Sequence, residues 1–331
     1  MTRSGMSLVL LALLLAWCLG MAARNVWTPD EPRELALSAS QVGTFTALPT
    51  LGGNAFTEKP PLAYWLAGAS MGVFGISGAA ARAPSFLYAI LAMAAIFQLG
   101  RRMGARDTGT LAALIFATSW LVFETQIWLA CDALLLAAVS LSMLGIYMAV
   151  GPRRQFLAGC VWMHLGLLLA LFTKSFAGWV VPISALFTYL LFERRLRELL
   201  HPGFWLPLLG SFALLFVWAR DVAHGSDGAA DLRALFWDNL VGRFAEYGGK
   251  SDAVRVLGHP NWPGKYLVEL PVYLLPWTPL AVGAVVGLWR NRRRRVPLSG
   301  PMRFALCAFV PALLIMSVAA TSRGIYAAPL I

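Results

Sequence analysis

Residues 132–154 read DALLLAAVSLSMLGIYMAVGPRR. Between Asp132 and Arg153 no side chain is charged, and the uncharged run Ala133–Pro152 has about the 20 residues that an α-helix needs to cross a hydrocarbon core of about 30 Å. Backbone N–H and C=O groups cannot stay unpaired in lipid, so a helix is the structure this run adopts there. Eight more runs share its character: Met6–Ala23, Ala83–Gly100, Thr108–Phe123, Gln155–Thr173, Ser175–Phe192, Pro202–Ala219, Leu270–Trp289 and Phe304–Ser322. Composition agrees. The 331 residues are 59% hydrophobic and only 13% charged, with mean hydropathy +0.67, whereas soluble domains carry about 25% charged residues. An ordinary soluble enzyme, a disordered chain and a fibrous protein are excluded. The expectation is an all-α integral membrane protein, one domain over 1–331 with nine to ten spans.

Charge placement orients these spans. Lys and Arg exceed Asp and Glu by 11. In a soluble protein that would suggest nucleic acid; here it suggests position in a bilayer and no nucleic-acid partner. With the N-terminus in the cytoplasm, the clusters Arg101-Arg102, Arg153-Arg154, Arg194-Arg195 and Arg292–Arg295 all fall inside. Inside loops then hold 15 basic and 3 acidic residues, and outside loops 12 basic and 13 acidic. Met6–Ala23 reads as an uncleaved first span. A tenth uncharged stretch, Pro60–Ala81, reads as re-entrant or interfacial, because counting it as a crossing would put the arginine clusters outside. Two exterior loops follow, 24–82 and 220–269. In the second, Leu232, Leu235, Phe236, Leu240 and Phe244 at helical spacing suggest an interfacial amphipathic helix.

Ionisable groups at membrane depth are expensive and usually functional. They gather on the exterior face: Asp30, Glu31, Arg33, Glu34, Glu58 and Lys59 in the first loop, Asp132 at the start of the fourth span, and Lys174 between the fifth and sixth. All four lysines fall outside, which hints at an anionic substrate in the outer leaflet, since an ammonium holds phosphate as a point charge. Prolines stiffen both acidic runs, Pro29-Asp30-Glu31-Pro32 and Glu58-Lys59-Pro60-Pro61. Tyr64 and Trp65 follow as interface aromatics. His259, fixed before Pro260 on the same face, could share a divalent cation with Glu58. The four cysteines are scattered, with no C-x-x-C pair.

These motifs together resemble a known family. Asp30-Glu31-Pro32-Arg33, then Glu58-Lys59-Pro60-Pro61-Leu62 with Tyr64-Trp65-Leu66, Ala81-Arg82-Ala83-Pro84, Gly100-Arg101-Arg102, Asp132-Ala133-Leu134 and Phe172-Thr173-Lys174 occur in order. The chain resembles glycosyltransferase family 39, in particular the bacterial aminoarabinose lipid A transferases. The resemblance implies a GT-C fold, a helical bundle with interfacial helices at the exterior face of the bacterial inner membrane. It implies a polyprenyl phosphate sugar donor and a lipid acceptor, lipid A-like, with protein Ser/Thr as the alternative. Asp30, Glu31 and Arg33 are the implied catalytic set. Lys59, Tyr64, Arg82, Asp132, Lys174 and Tyr326 are the implied substrate-binding set. Glu58 and His259 are the implied metal ligands, with zinc the favoured ion. Two departures stand out. Family members run well beyond Ile331, so the chain reads as truncated relative to them, and Ser175 stands where relatives often carry glycine.

The implied chemistry is inverting transfer. Lys59 and a metal would neutralise the departing lipid phosphate, and Asp30 would orient or deprotonate an acceptor hydroxyl. Two other classes fit the composition: a transporter or flippase for a polyprenyl-linked lipid, and a non-catalytic binder of one. Transporters place polar sites at the midplane within repeated halves. Here the charges sit at span ends and no repeat is visible.

Overall fold

A computed structural model describes residues 3–27, 30–104, 106–238, 262, 264–319 and 323–331. They form a helical bundle around one central helix. In chain order the helices are α1 (Arg3–Ala22), α2 (Asp30–Ala39), α3 (Leu62–Phe74), α4 (Gly78–Met103), α5 (Arg106–Thr118), α6 (Trp120–Ile127), α7 (Asp132–Val150) and α8 (Phe156–Lys174). Then follow α9 (Val180–Phe192), α10 (Leu206–Ala223), α11 (Gly228–Arg233), α12 (Lys265–Tyr273), α13 (Thr278–Arg293) and α14 (Gly300–Val318). The one departure from all-helix among the described residues is a hairpin in the first loop, Thr50–Leu51 paired antiparallel with Asn54–Ala55 across Gly52-Gly53.

Helix α7 is the quoted stretch, and every one of its residues is buried. Lipid attracts apolar side chains as well as protein does, so its helix contacts depend on close packing rather than on apolarity. Small residues supply that packing. A Cβ on Gly145 would sit 2.1 Å from the backbone nitrogen of Met163 in α8, and one on Gly159 would sit 2.4 Å from that of Ala149. Lipid-facing helices show the reverse pattern: α10 leaves Leu206, Leu209 and Phe216 exposed.

Among the described residues, five helical segments are long and apolar enough to cross a bilayer, and the pair α5–α6 makes a sixth. The details modify the sequence reading. The run Thr108–Phe123 is bent by 63° where α5 gives way to α6. Segment 156–192 is a helical hairpin. Trp179 donates from Nε1 to the Leu167 carbonyl at 2.8 Å, and Arg195 at the far end donates to the Val150 carbonyl at 2.9 Å, beside the start of α8. The run Leu270–Trp289 is broken between Tyr273 and Thr278, so it is not one continuous helix. Pro271, Pro276 and Pro279 lack the N–H that a continuous ladder requires. Within Pro60–Ala81, α3 has 13 residues. At ~1.5 Å per residue that is about 20 Å, too short for a crossing.

Candidate active site

The first loop is built on Glu31, and its position there corrects one expectation. Helix α2 opens with Asp30 and Glu31 in its first turn, where the positive end of the helix dipole favours acids. Glu31 is fully buried. Its Oε1 accepts from the Leu129 amide at 2.8 Å and from Arg82 Nε at 3.1 Å, and its Oε2 accepts from the Trp27 amide at 2.8 Å. Arg24 pairs with it at 2.5 Å. Arg82, also fully buried, donates further to the carbonyls of Met21, Arg24 and Asn25. The two side chains tie together the exit of α1, the start of α2, α4 and the segment before α7. Glu31 was expected in the catalytic set and Arg82 in the substrate-binding set. Both are clamps with their hydrogen-bonding groups already engaged, and neither lines the cavities described below.

Two cavities meet at Lys59. One is a narrow slot of about 140 Å³, lined by Glu58, Lys59, Lys174 and Tyr326 at its polar end and by Leu135, Val139, Val181, Ile315, Met316 and Pro329 along its length. The other, about 350 Å³, is polar: Asp30, Glu34, Lys59, Glu124, Asp132, Tyr273 and Arg323 lie in its wall. Pro60 and Pro61 end the loop immediately after Lys59, and α3 begins at Leu62, so the lysine is held at the junction by a stiff stem.

Ion pairs set the electrostatics. Lys59 Nζ donates to Glu34 Oε1 at 2.9 Å. Burial pulls its ammonium down, but neighbouring Cys131, Glu34 and Tyr64 outweigh that and hold its pKa well above the ordinary lysine value. Burial pushes the Cys131 thiol up to about 11, so it is neutral at physiological pH and the Glu34 carboxylate supplies the balancing charge. Tyr64 donates to the other oxygen of Glu34 at 2.9 Å. Tyr64 was expected to bind substrate; it is buried, outside both cavity linings, and acts by orienting Glu34.

Arg33 reaches Glu58 and Glu34, both at 3.4 Å, and lies 3.7 Å from Asp30. Burial lowers its pKa, but those carboxylates raise it further, so its charge is secure. Asp30 also carries Arg323, which lies 293 positions away in sequence. Asp132, in the first turn of α7, pairs with Lys174 at the end of α8. The Lys174 ammonium lies 4.0 Å from the centre of the Tyr326 ring. Tyr326 sits in a 3-10 turn, Gly324–Leu330, packed on α6, α7, α12 and α14.

The structure therefore places Asp30, Glu58, Lys59, Asp132, Lys174 and Tyr326 in the walls of the two cavities, which share Lys59, while Arg33 lines neither and stands behind Asp30 and Glu58 as their ion-pair partner. His259 lies outside the described residues, as do residues 240 and 244 of the amphipathic pattern. Among the described residues no three His, Cys, Asp or Glu side chains gather as a metal site, and Glu58 already faces Arg33.

Comparison with known proteins accords with this geometry. Residues 58–219 match the family model described as dolichyl-phosphate-mannose-protein mannosyltransferase. The undecaprenyl phosphate-alpha-4-amino-4-deoxy-L-arabinose arabinosyl transferase of Pseudomonas aeruginosa (strain UCBPP-PA14) is 30% identical over 296 residues, covering 88% of this chain and 52% of that protein. Arabinosyl transferase 2 of Proteus mirabilis (strain HI4320) is 26% identical over 332 residues, 99% of this chain and 57% of that protein. The crystal structure of ArnT from Cupriavidus metallidurans bound to undecaprenyl phosphate superposes with a TM-score of 0.82 at 18% identity, over 99% of this chain and 58% of that one. Over most of its length the chain is similar to bacterial aminoarabinose transferases. It shares their GT-C membrane fold, and it spans about half the length of the curated relatives it matches.

Two cavity residues, Arg323 and Glu124, escaped the sequence reading, and a third, Glu34, was counted among the exterior ionisable groups without a role. Glu34 lies one helical turn after Asp30, and that spacing was signal enough to assign it to the same site. Arg323 carries no local signal; only folding brings it to Asp30. Glu124 sits inside the bent helix pair, where an uncharged-run reading ends at Phe123. The Ser175 departure also has a structural meaning. Its backbone is at φ 54°, ψ −153°, a region that essentially only glycine occupies without strain.

Proposed function

We propose that this chain carries the membrane catalytic region of a glycosyltransferase that moves a sugar from a polyprenyl phosphate to an acceptor outside the bacterial inner membrane, a lipid A-like glycolipid. The N-terminus then lies in the cytoplasm and the cavities open toward the periplasm. One observation carries the reading: Lys59 lines both an apolar slot and a polar cavity, and Lys174, in the wall of the slot, is paired with Asp132 in the wall of the polar cavity. The slot suits a prenyl chain and the cavity suits the sugar. The phosphate between them would meet the ammonium groups of Lys59 and Lys174. Charge grows on that phosphate as the sugar leaves, and fixed cations in a site shielded from water lower the barrier. Glu34 and Asp132 hold the two lysines in place, and Asp30, held by Arg323 and Arg33, faces the polar cavity as the group to orient or deprotonate the acceptor. The relatives' names supply the donor, undecaprenyl phosphate bearing 4-amino-4-deoxy-L-arabinose. A divalent ion, zinc by preference, held by Glu58 and His259 would add Lewis-acid stabilisation, and activity after chelation and zinc replacement tests that part.

The test is transfer from radiolabelled donor in purified membranes. Wild type transfers sugar to lipid A, and Lys59→Ala and Asp30→Asn each reduce the rate by about 100-fold or more. Transfer at the wild-type rate by both variants would overturn the assignment.

A further inference from the structure

The polar cavity has four carboxylates in its wall, Asp30, Glu34, Glu124 and Asp132. Three already hold a cation: Arg323 on Asp30, Lys59 on Glu34 and Lys174 on Asp132. Glu124 is different. Among the described residues its half-buried carboxylate has no hydrogen-bond or ion-pair partner. Arg24, the cation whose charge reaches it, is held on Glu31 at 2.5 Å and over the Trp128 ring at 4.8 Å. Trp128 and Tyr273 share the cavity wall with Glu124, and the Tyr273 hydroxyl donates to Glu269 at 2.7 Å. A carboxylate beside aromatic rings, with a second carboxylate behind one of them, is a surface that attracts a cation. The cavity's own cations are committed elsewhere, so the ligand must bring the positive charge.

We propose that Glu124 is a specificity-determining residue that receives a protonated amine on the transferred sugar, while Lys59 and Lys174 hold the phosphate. This rests on the glycosyl-transfer reading above and assigns the residue that selects its sugar. An ammonium completes Glu124 with a charge-assisted hydrogen bond. A sugar with a hydroxyl at that position leaves the carboxylate partly desolvated without its counter-ion, and sites of that kind reject the incomplete ligand.

The experiment compares two polyprenyl phosphate donors, one bearing the amino sugar and one bearing the same sugar with hydroxyl in place of amine. Wild type prefers the amine donor in kcat/KM by about 10- to 100-fold, the range for a hydrogen bond to a charged group. Glu124→Gln lowers transfer from the amine donor by about that factor, leaves the hydroxyl donor within about twofold, and so abolishes the preference. Glu124→Asp, which retains the charge, keeps part of it and shows that the fold survives substitution. The assignment is overturned if Glu124→Gln keeps the preference, or if it lowers both donors equally. Absence of transfer from either donor by wild type would overturn the glycosyl-transfer reading itself, and this assignment with it.

Discussion

Replacing Glu31 with Gln separates a structural role from a chemical one. The substitution keeps size and shape and removes one charge. Donors converge on both carboxylate oxygens: the Trp27 amide on Oε2, and the Leu129 amide and Arg82 on Oε1, with Arg24 at 2.5 Å. A glutamine has one acceptor oxygen, so its NH2 must face a donor at the other position. Arg82, fully buried, keeps its three carbonyl acceptors but loses its counter-ion. Removing one partner of a buried pair costs about 3–5 kcal/mol. Against a total stability of about 5–15 kcal/mol that is a large fraction. At about 2–4 °C per kcal/mol it lowers the thermal midpoint by about 5–20 °C. The assay is thermal unfolding of the purified protein in detergent, with sugar transfer measured on the same samples below the transition. Asp30→Asn is the control: that carboxyl is 22% exposed and lines the cavity, so its loss removes transfer and leaves the midpoint near wild type. A Glu31→Gln protein as heat-stable as wild type, yet unable to transfer sugar, would refute the clamp and return Glu31 to the chemistry.

Three further outcomes follow from the same structure. Ser175→Gly relieves a backbone conformation suited to glycine, and raises stability by about 1 kcal/mol in the same thermal assay. Gly145→Leu forces α7 and α8 apart where a Cβ alone would meet backbone at 2.1 Å, and costs about 3 kcal/mol or more, read as loss of folded protein on size exclusion. Lys59 has a folded pKa raised well above its ordinary value, so the stability it contributes is fully present below the ordinary lysine pKa and is lost only as pH rises through the higher folded one. Donor-phosphate binding, measured from pH 7 to pH 10, is therefore flat with respect to this group, and Glu34→Gln brings a decline into the upper end of that range.

The sequence by itself determined the solvent, the helices and the face. A run such as Ala133–Pro152 has one stable form in lipid because its backbone must pair with itself, and that rule needs no knowledge of neighbours. The one-sided placement of Lys59, Asp132 and Lys174 likewise follows from counting charges between runs. Tertiary structure decided the roles. Asp30 and Glu31 are adjacent acids between the same prolines, indistinguishable in a string. Successive residues on a helix point about 100° apart, so one faces the cavity and the other faces the buried guanidinium of Arg82. Arg323 reaches Asp30, and Glu124 stands without a partner among the described residues, for the same reason: charge pairing is set by distance in space, and the bend of 63° after α5 and the packing of the 3-10 turn on α6 and α7 fix those distances only once the bundle has closed.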